Sequence, residues 1–313
     1  MFDKMIIKAK ISIDDIETIV LRYYLEQCTE GDEIYYKSTA YANLIGCFIE
    51  IRGSKLRCKC SICKLWSKEH TGKLDNSRPM TFAMAIRTLK ELLLKLCVKL
   101  EDAVVTYYEI GITMKMNLPA DDYIKQVHEA SGRILWNDAN FPAFKQKTTE
   151  KSKYYRKILK IYDKSFEAEE KGRHVGNNIL RIETIYKHQS VSMLELTDNF
   201  FLSKIGRIFY KDWSEIEFVR ELSAVKGVKI SQLDKAREIQ RIGVTRYKEH
   251  YKKMFLDGKL TKKQWETIRN FATAWPEKRS KYVEEVGELE KEFKDRLLAG
   301  YQVGIFTPTR IKL

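Results

Sequence analysis

The stretch Val104–Met116, VVTYYEIGITMKM, constrains the fold more than any other part of the chain. Tyr108, Ile110, Ile112, Met114 and Met116 fall on one face. Tyr107, Glu109, Gly111, Thr113 and Lys115 fall on the other. A period of two is that of a β-strand with one covered face and one open face. Such a strand needs paired neighbours and a layer packed against its apolar side. Met5–Ala9, Lys157–Asp163 and Ile179–Lys187 supply strand-like runs. Cys47–Arg52 and Lys55–Leu65, joined at Gly53-Ser54, read as a hairpin.

Helical patterns supply the covering layer. Ser12, with Asp15 three residues on, forms a capping-box arrangement. Ile16, Ile19, Val20, Tyr23 and Tyr24 then recur on one helical face. Thr81 precedes a periodic apolar run from Phe82 to Leu100, and Asp121–Ala130 reads as a further helix after Pro119. Beyond about residue 190 the pattern turns helical: Val191–Trp213, Glu215–Val225, Ser231–Ile242, Thr245–Leu256, Thr261–Trp275 and Glu277–Ala299. Gly227, Gly243 and Gly258 serve as stops, and Pro276 marks a break. The expected fold class is α+β, with an antiparallel-sheet domain over 1–190 and a helical, basic domain over 191–313.

Lys and Arg number 57 against 43 Asp and Glu, a net charge of +14 that points to a polyanionic partner. Hydrophobic residues at 44% and only 5 Pro exclude a disordered or collagenous chain. The greasiest stretch, Leu92–Leu100, is broken by Lys95 and Lys99, so no membrane span is expected. The opening MFDKMIIKAK lacks a signal-peptide core, which places the protein in the cytoplasm as an expectation. The six cysteines then read as reduced thiols.

No GxxxxGK[ST] loop, HxH or HExxH occurs, and the five histidines are scattered. Cys58, Cys60 and Cys63 with His70 offer zinc-type donors, but CxCxxC is not the usual paired-knuckle spacing. Leu56, Cys58, Cys60 and Ile62 also alternate as one face of a strand, where small cysteines simply fill a core. The strands carry a second set of reactive groups. Glu109 sits on the polar face of a greasy strand, Arg181 and Glu183 share a face, and Tyr162 shares one with Lys160 and Lys164. Carboxylates that hold a hard cation, a tyrosine and flanking lysines are the parts of phosphodiester chemistry. A solvated strand surface explains the same residues without any chemistry.

At these strands the sequence resembles a known family. RKILKIYDKSFEAEE, Arg156–Glu170, resembles the YxK…E strand of rolling-circle replication initiators, above all the gene II replication proteins of filamentous phages and the related plasmid replication initiation factors. NILRIETIYK, Asn178–Lys187, resembles their [LV]R[FVI]E strand. YYEIGITMK occupies the place of their acidic central strand, and MFDKMIIKA is similar to their first strand. The resemblance spans roughly residues 1–200 in element order and is specific at two short motifs. It departs at the central strand, where Glu109 stands in place of Asp or a His pair.

The resemblance implies an HUH-endonuclease-like topology without the His pair and a nickase that acts at a double-stranded origin. A tyrosine becomes linked to the 5′-phosphate, the freed 3′-OH primes synthesis, and the displaced single strand is later cut and rejoined. By motif the nucleophile is Tyr162, with Lys164 and Lys160 beside it. Glu183 carries over as a ligand for Mg²⁺ or Mn²⁺, and Glu109 carries over by its place in the strand order. Tyr154, Tyr155 and Tyr186 remain rival nucleophiles. Host helicase, polymerase and single-strand-binding protein are the implied partners, with no membrane. Flanking cations favour a phenolate, because the free phenol titrates near ~10.

Lys115 and Arg181 on the strands, and Arg241, Arg246, Lys252 and Lys253 in the helical part, are candidate DNA contacts. Ser231–Ile242, Gly243 and Thr245–Leu256 resemble a helix–turn–helix in layout. An ordinary solvated helix surface explains the same cations. A relaxase of a mobile element shares the chemistry of the nickase. A DNA-binding repressor on the same fold, or a nucleic-acid-binding structural module, would lack it.

Overall fold

The computed structural model describes residues 2–39, 46–76, 80–130, 133–137, 142–147, 155–224, 227–279 and 282–302. Two long strands form its spine: β6 (Ala103–Lys115) and β11 (Ile179–Ser192), paired antiparallel with Gly111 opposite Glu183. β1 (Phe2–Lys10) lies on the other side of β6, and β10 (Tyr155–Asp163) on the other side of β11. From β1 the sheet continues through β5 (Lys55–Ser61), β4 (Cys47–Arg52), β3 (Glu33–Ser38) and β2 (Leu25–Glu30). From β10 it continues through β9 (Pro142–Lys147), β8 (Arg133–Asn137), β7 (Val127–Ala130) and β12 (Ile216–Phe218). The twelve strands are paired antiparallel throughout. The chain is thus α+β.

The alternation of β6 sets the layers. Tyr108, Ile110, Ile112 and Met114 are buried in the main core. Helices α1 (Ile13–Tyr23), α2 (Ile62–Thr71) and α3 (Phe82–Lys95) bring Ile19, Leu65, Phe82, Leu89 and Leu93 into the same core. Ser12 caps α1 by accepting from the Asp15 N–H, and Thr81 caps α3 by accepting from Met84. The hairpin at Gly53-Ser54 forms, with Gly53 at φ 52°. β5 ends at Ser61, whose hydroxyl caps α2, so Cys63 belongs to a helix and not to a strand.

Pairing overrides several helical patterns. Asp121–Ala130 divides into α4 (Ala120–Gln126) and β7, because Val127–Ala130 pairs with β12. The segment around 191 first completes β11, then forms α6 (Met193–Leu196) and α7 (Asn199–Ser214). The expected helix over Glu215–Val225 is instead two short strands, β12 and β13 (Glu221–Ala224). β13 pairs with β14 (Tyr282–Glu285), which interrupts the expected helix over Glu277–Ala299. Ile216 and Phe218, bulky and half of them β-branched, suit a strand as well as a helix, so the partner decides.

The packing divides the chain differently from a cut at 190. Leu202, Ile205, Phe209 and Trp213 of α7 lie in the sheet core, and the Trp213 indole donates to Thr184 Oγ1 at 3.0 Å. Phe293 and Leu297 of α12 (Glu288–Gly300) return to that core, and a Cβ on Gly300 would stand 3.1 Å from Ile112. Between these elements lies a unit with its own core: Leu222, Ala236, Ile239, Tyr247, Ile268, Phe271, Trp275 and Tyr282. It is built from α8 (Ile230–Ile242), α9 (Val244–Leu256), α10 (Lys262–Thr273), the short α11 (Trp275–Lys278) and the β13–β14 pair. It is an insertion into the sheet unit. Arg220 and Glu290 pair at its neck, through Nε–H donating to Oε2 at 2.6 Å. No helix among the described residues is long and apolar enough to cross a membrane.

Candidate active site

The polar face of β6 is where charge enters the sheet. Glu109, on that face, is 3% exposed. Across the β6–β11 pair Glu183 stands opposite Gly111, which explains the glycine. A Cβ there would meet the Ile182 carbonyl at 2.8 Å and Glu183 Cγ at 2.9 Å. The third carboxylate is Asp3 of β1, where the register shifts between Phe2 and Met5. One oxygen from each of Asp3, Glu109 and Glu183 lies within 4.8 Å of the others.

Arg181, wholly buried, organises the group. Its Nε–H donates to Glu183 Oε1 at 2.7 Å and its Nη2 to Asp3 Oδ2 at 2.6 Å. Its Nη1 donates to the Asn76 carbonyl at 2.6 Å. Ser61 donates to Asp3 Oδ1 at 2.6 Å, and the Asn76 amide donates to Asp3 Oδ2 at 3.1 Å. Tyr162 of β10 donates its phenolic O–H to Glu183 Oε1 at 2.9 Å. At the rim Lys160 lies 3.6 Å from Glu183 Oε2, with its ammonium 4.6 Å over the Tyr162 ring. Lys4 lies 3.8 Å from Glu109.

The electrostatics follow from burial. Burial pushes the Asp3 carboxyl up, but Arg181 together with the Ser61 and Asn76 hydrogen bonds outweighs it and holds Asp3 below its ordinary value. Burial raises Glu109, and Glu183 beside it raises it further, against the opposing pull of Lys4. Glu109 Oε1 accepts from the Tyr107 hydroxyl, while its buried Oε2 has no partner among the described residues. An orphaned carboxylate oxygen in a group of hard oxygen donors is what a divalent cation satisfies. The buried acidic triad is therefore able to hold a metal ion.

Tyr162, Glu183, Glu109 and Lys160 converge as the sequence suggested, and three expectations change. Lys164 does not flank the phenol: it opens α5 (Lys164–Glu169), and its buried ammonium donates to Asn76 Oδ1 at 3.0 Å and Glu167 Oε2 at 2.5 Å. It reaches the cluster only through Asn76. Burial raises the Tyr162 phenol well above its ordinary value, and the cation that opposes this is Arg181. Arg181 itself is no DNA contact, because its guanidinium is enclosed by Asp3, Glu183 and Asn76. Asp3, Asn76 and Ser61 were missed. The one available signal was an aspartate inside the apolar run Phe2–Ile7.

Cys47, Cys58 and Cys60 are buried on facing strands, with their thiols pushed well up by mutual contact and burial. Cys63 donates to the Phe2 carbonyl at 3.1 Å, and His70 stacks on Trp66. These contacts make the cysteines core residues. Tyr154 lies outside the described residues, Tyr155 opens β10, and Tyr186 stacks on Tyr108. Lys115 is exposed and donates to the Asn177 carbonyl at 2.6 Å. Arg241, Lys252 and Lys253 are exposed on α8 and α9, and Arg246 is half-buried. α8 and α9 are joined by Gly243 alone, at φ 82°. That link is shorter than the 3–4-residue turn of a helix–turn–helix. No protein-family description matches the chain, and no curated protein matches it.

Proposed function

We propose that this protein is a metal-dependent DNA nicking and rejoining enzyme of the rolling-circle initiator type. The observation that supports it best is the Tyr162 hydroxyl bonded to Glu183 inside a buried triad of carboxylates with one oxygen unsatisfied. Asp3, Glu109 and Glu183 would hold Mg²⁺ or Mn²⁺. With Arg181 counted, three carboxylates leave a charge that one divalent cation balances. Such an ion, when bound, draws charge from a phosphate and orients it.

The chain's own residues carry the rest. Tyr162 Oη attacks the phosphorus as its proton passes to Glu183 Oε1, the P–O3′ bond breaks as the P–Oη bond forms, and the departing 3′-oxygen takes a proton from water to become the free 3′-OH. Arg181 lowers the cost of the developing phenolate, and Lys160 at the mouth faces the added negative charge. Tyr162 is only 5% exposed, so the scissile phosphate enters as Lys160 moves off the ring. Attack by a free 3′-OH on the same bond reverses the step, and no nucleotide hydrolysis is required.

The test is incubation with supercoiled DNA that carries the element's own origin and Mg²⁺ or Mn²⁺. Wild type should give a nick and a covalent 5′ adduct. Tyr162→Phe should lose both by at least about a hundred-fold, the scale of a removed nucleophile, while retaining binding. An adduct that survives in Tyr162→Phe moves the nucleophile to Tyr155. Sequence-specific binding by wild type with no nick under either metal would favour a repressor on this fold.

A further inference from the structure

A cavity of about 510 Å³ opens next to the carboxylate cluster, and the proposed function leaves it without a role. Lys4, Phe48, Arg57, Lys59, Ser61 and Lys64 line it. Two contacts tie it to the site. Ser61 donates to Asp3 from one wall, and Lys4 lies against Glu109 at the shared rim. The sheet register explains the grouping: Lys59 pairs with Phe48 on β4 and with Ile6 on β1, and Lys4 pairs with Ser61.

Among the described residues the lining carries four cations and no carboxylate. Arg57 makes a long contact to Glu50, at 3.9 Å. Among the described residues no carboxylate forms an ion pair with Lys59 or Lys64. Lys64 is half-buried, and Arg173, Lys171 and Lys4 set positive charge against it while Asp3 opposes them. Lys59 and Lys64, with no ion-paired carboxylate among the described residues, stand beside Lys4 and the loosely paired Arg57, and such an excess of cations in a concave site is complementary to an anion. Phe48 adds a ring face beside them, the combination by which proteins hold a single strand: phosphate on cations, base on an aromatic. A rigid duplex cannot enter a pocket of this size, whereas one nucleotide of a flexible strand can.

We propose that this cavity binds a backbone phosphate of the single DNA strand a few nucleotides away from the scissile bond, with Arg57, Lys59 and Lys64 as its cations and Phe48 beside the base. The placement rests on the reading of Tyr162 as nucleophile. Four strand spacings separate β10 from β5 in the sheet order, ~19 Å at about 4.8 Å each. The strand would cross β11, β6 and β1 between the two points, over the carboxylates. Held there, it would fix which phosphate reaches Tyr162.

The full-length chain is titrated in EDTA with a short fluorescein-labelled oligothymidylate, read by anisotropy at several salt concentrations. Lys59→Ala/Lys64→Ala should weaken binding about ten-fold or more, the scale of one lost charge-assisted hydrogen bond. It should also flatten the slope of log K against log salt by about 0.7, one phosphate contact on a single strand. Lys90→Ala, an exposed lysine of α3 outside the cavity lining, should leave oligothymidylate binding unchanged. Lys59→Gln/Lys64→Gln, with circular dichroism on both variants, guards against misfolding. An unchanged affinity and slope in the double variants overturns the proposal. So does protection of Lys64 from amine labelling by inorganic phosphate but not by the oligonucleotide, which would mark a small-anion site. Because no metal is present, this result is independent of nicking. Wild-type nicking with unaltered binding in the variants sinks only the subsite, and pocket-dependent binding without any adduct sinks only the nuclease.

Discussion

The sheet unit and the inserted helical unit use charge in opposite ways. In the sheet, Asp3, Arg181, Glu183 and Tyr162 are buried and each is tied to another. In the helical unit the core is apolar, from Ile239 to Trp275, and the cations Arg241, Lys252 and Lys253 stay in water. Residues 221–285 hold 16 Lys and Arg against 9 Asp and Glu, so about a fifth of the chain supplies half of its net charge. Exposed cations cost little and add little to stability, so they are free to serve a surface. Buried ones are expensive to desolvate and hold only as a complete set. The same residue types thus mark a surface in one unit and a site in the other.

Breaking the set should have the largest effect. Arg181→Ala leaves Asp3 and Glu183 buried without their cation, and should cost about 3–5 kcal/mol in urea unfolding. Mn²⁺ should restore part of the loss. Amide protection in α8–α10 should outlast that of β6 and β11 in this variant. Equal loss in both would mean that the two units unfold as one.

Gly111→Ala tests the site's geometry and not its charge. The new Cβ meets a backbone carbonyl at 2.8 Å and Glu183 Cγ at 2.9 Å, so Glu183 must move. A cost of about 1–3 kcal/mol is expected, as for overpacking, together with loss of thermal stabilisation by Mn²⁺. Metal stabilisation that survives at full size would show that Glu183 is not a ligand.

The smallest effect concerns the neck between the units. Burial pushes the Glu290 carboxyl up, but Arg220 and Lys294 hold it below its ordinary 4.5. A lowered acid contributes stability above its unfolded value and loses that contribution as pH falls through the folded one. Glu290→Gln should therefore flatten the acid limb of the stability curve and change little near pH ~7. An acid limb identical to that of wild type would place the pH sensitivity elsewhere.

Much of the sheet was legible because its signal is local. Alternation along Val104–Met116 placed Glu109 on the polar face, and the YxK and RxE patterns placed Tyr162, Arg181 and Glu183 on strands. Helix α9 was legible from its flanking glycines. The failures share one cause. Ile216–Phe218 and Glu221–Ala224 became strands because partners distant in sequence offered hydrogen bonds, and Val127–Ala130 took its place between β12 and β8; no local pattern encodes a distant partner. The same holds for Lys164, which looked like a neighbour of Tyr162 at two residues' distance. The chain turns into α5 after Asp163, which sends the lysine to Asn76.

By itself the sequence determined the α+β class, the open and covered faces of β6 and the excess of positive charge. These depend on periodicity and composition, which every residue carries with it. Only the tertiary structure decided that Asp3 joins Glu109 and Glu183, that Arg181 is an internal counter-ion and not a DNA contact, and that the helical unit is an insertion closed by α12. Those outcomes depend on register between strands more than sixty residues apart. A shift of one residue in the β6–β11 pair would turn Glu183 to the other face.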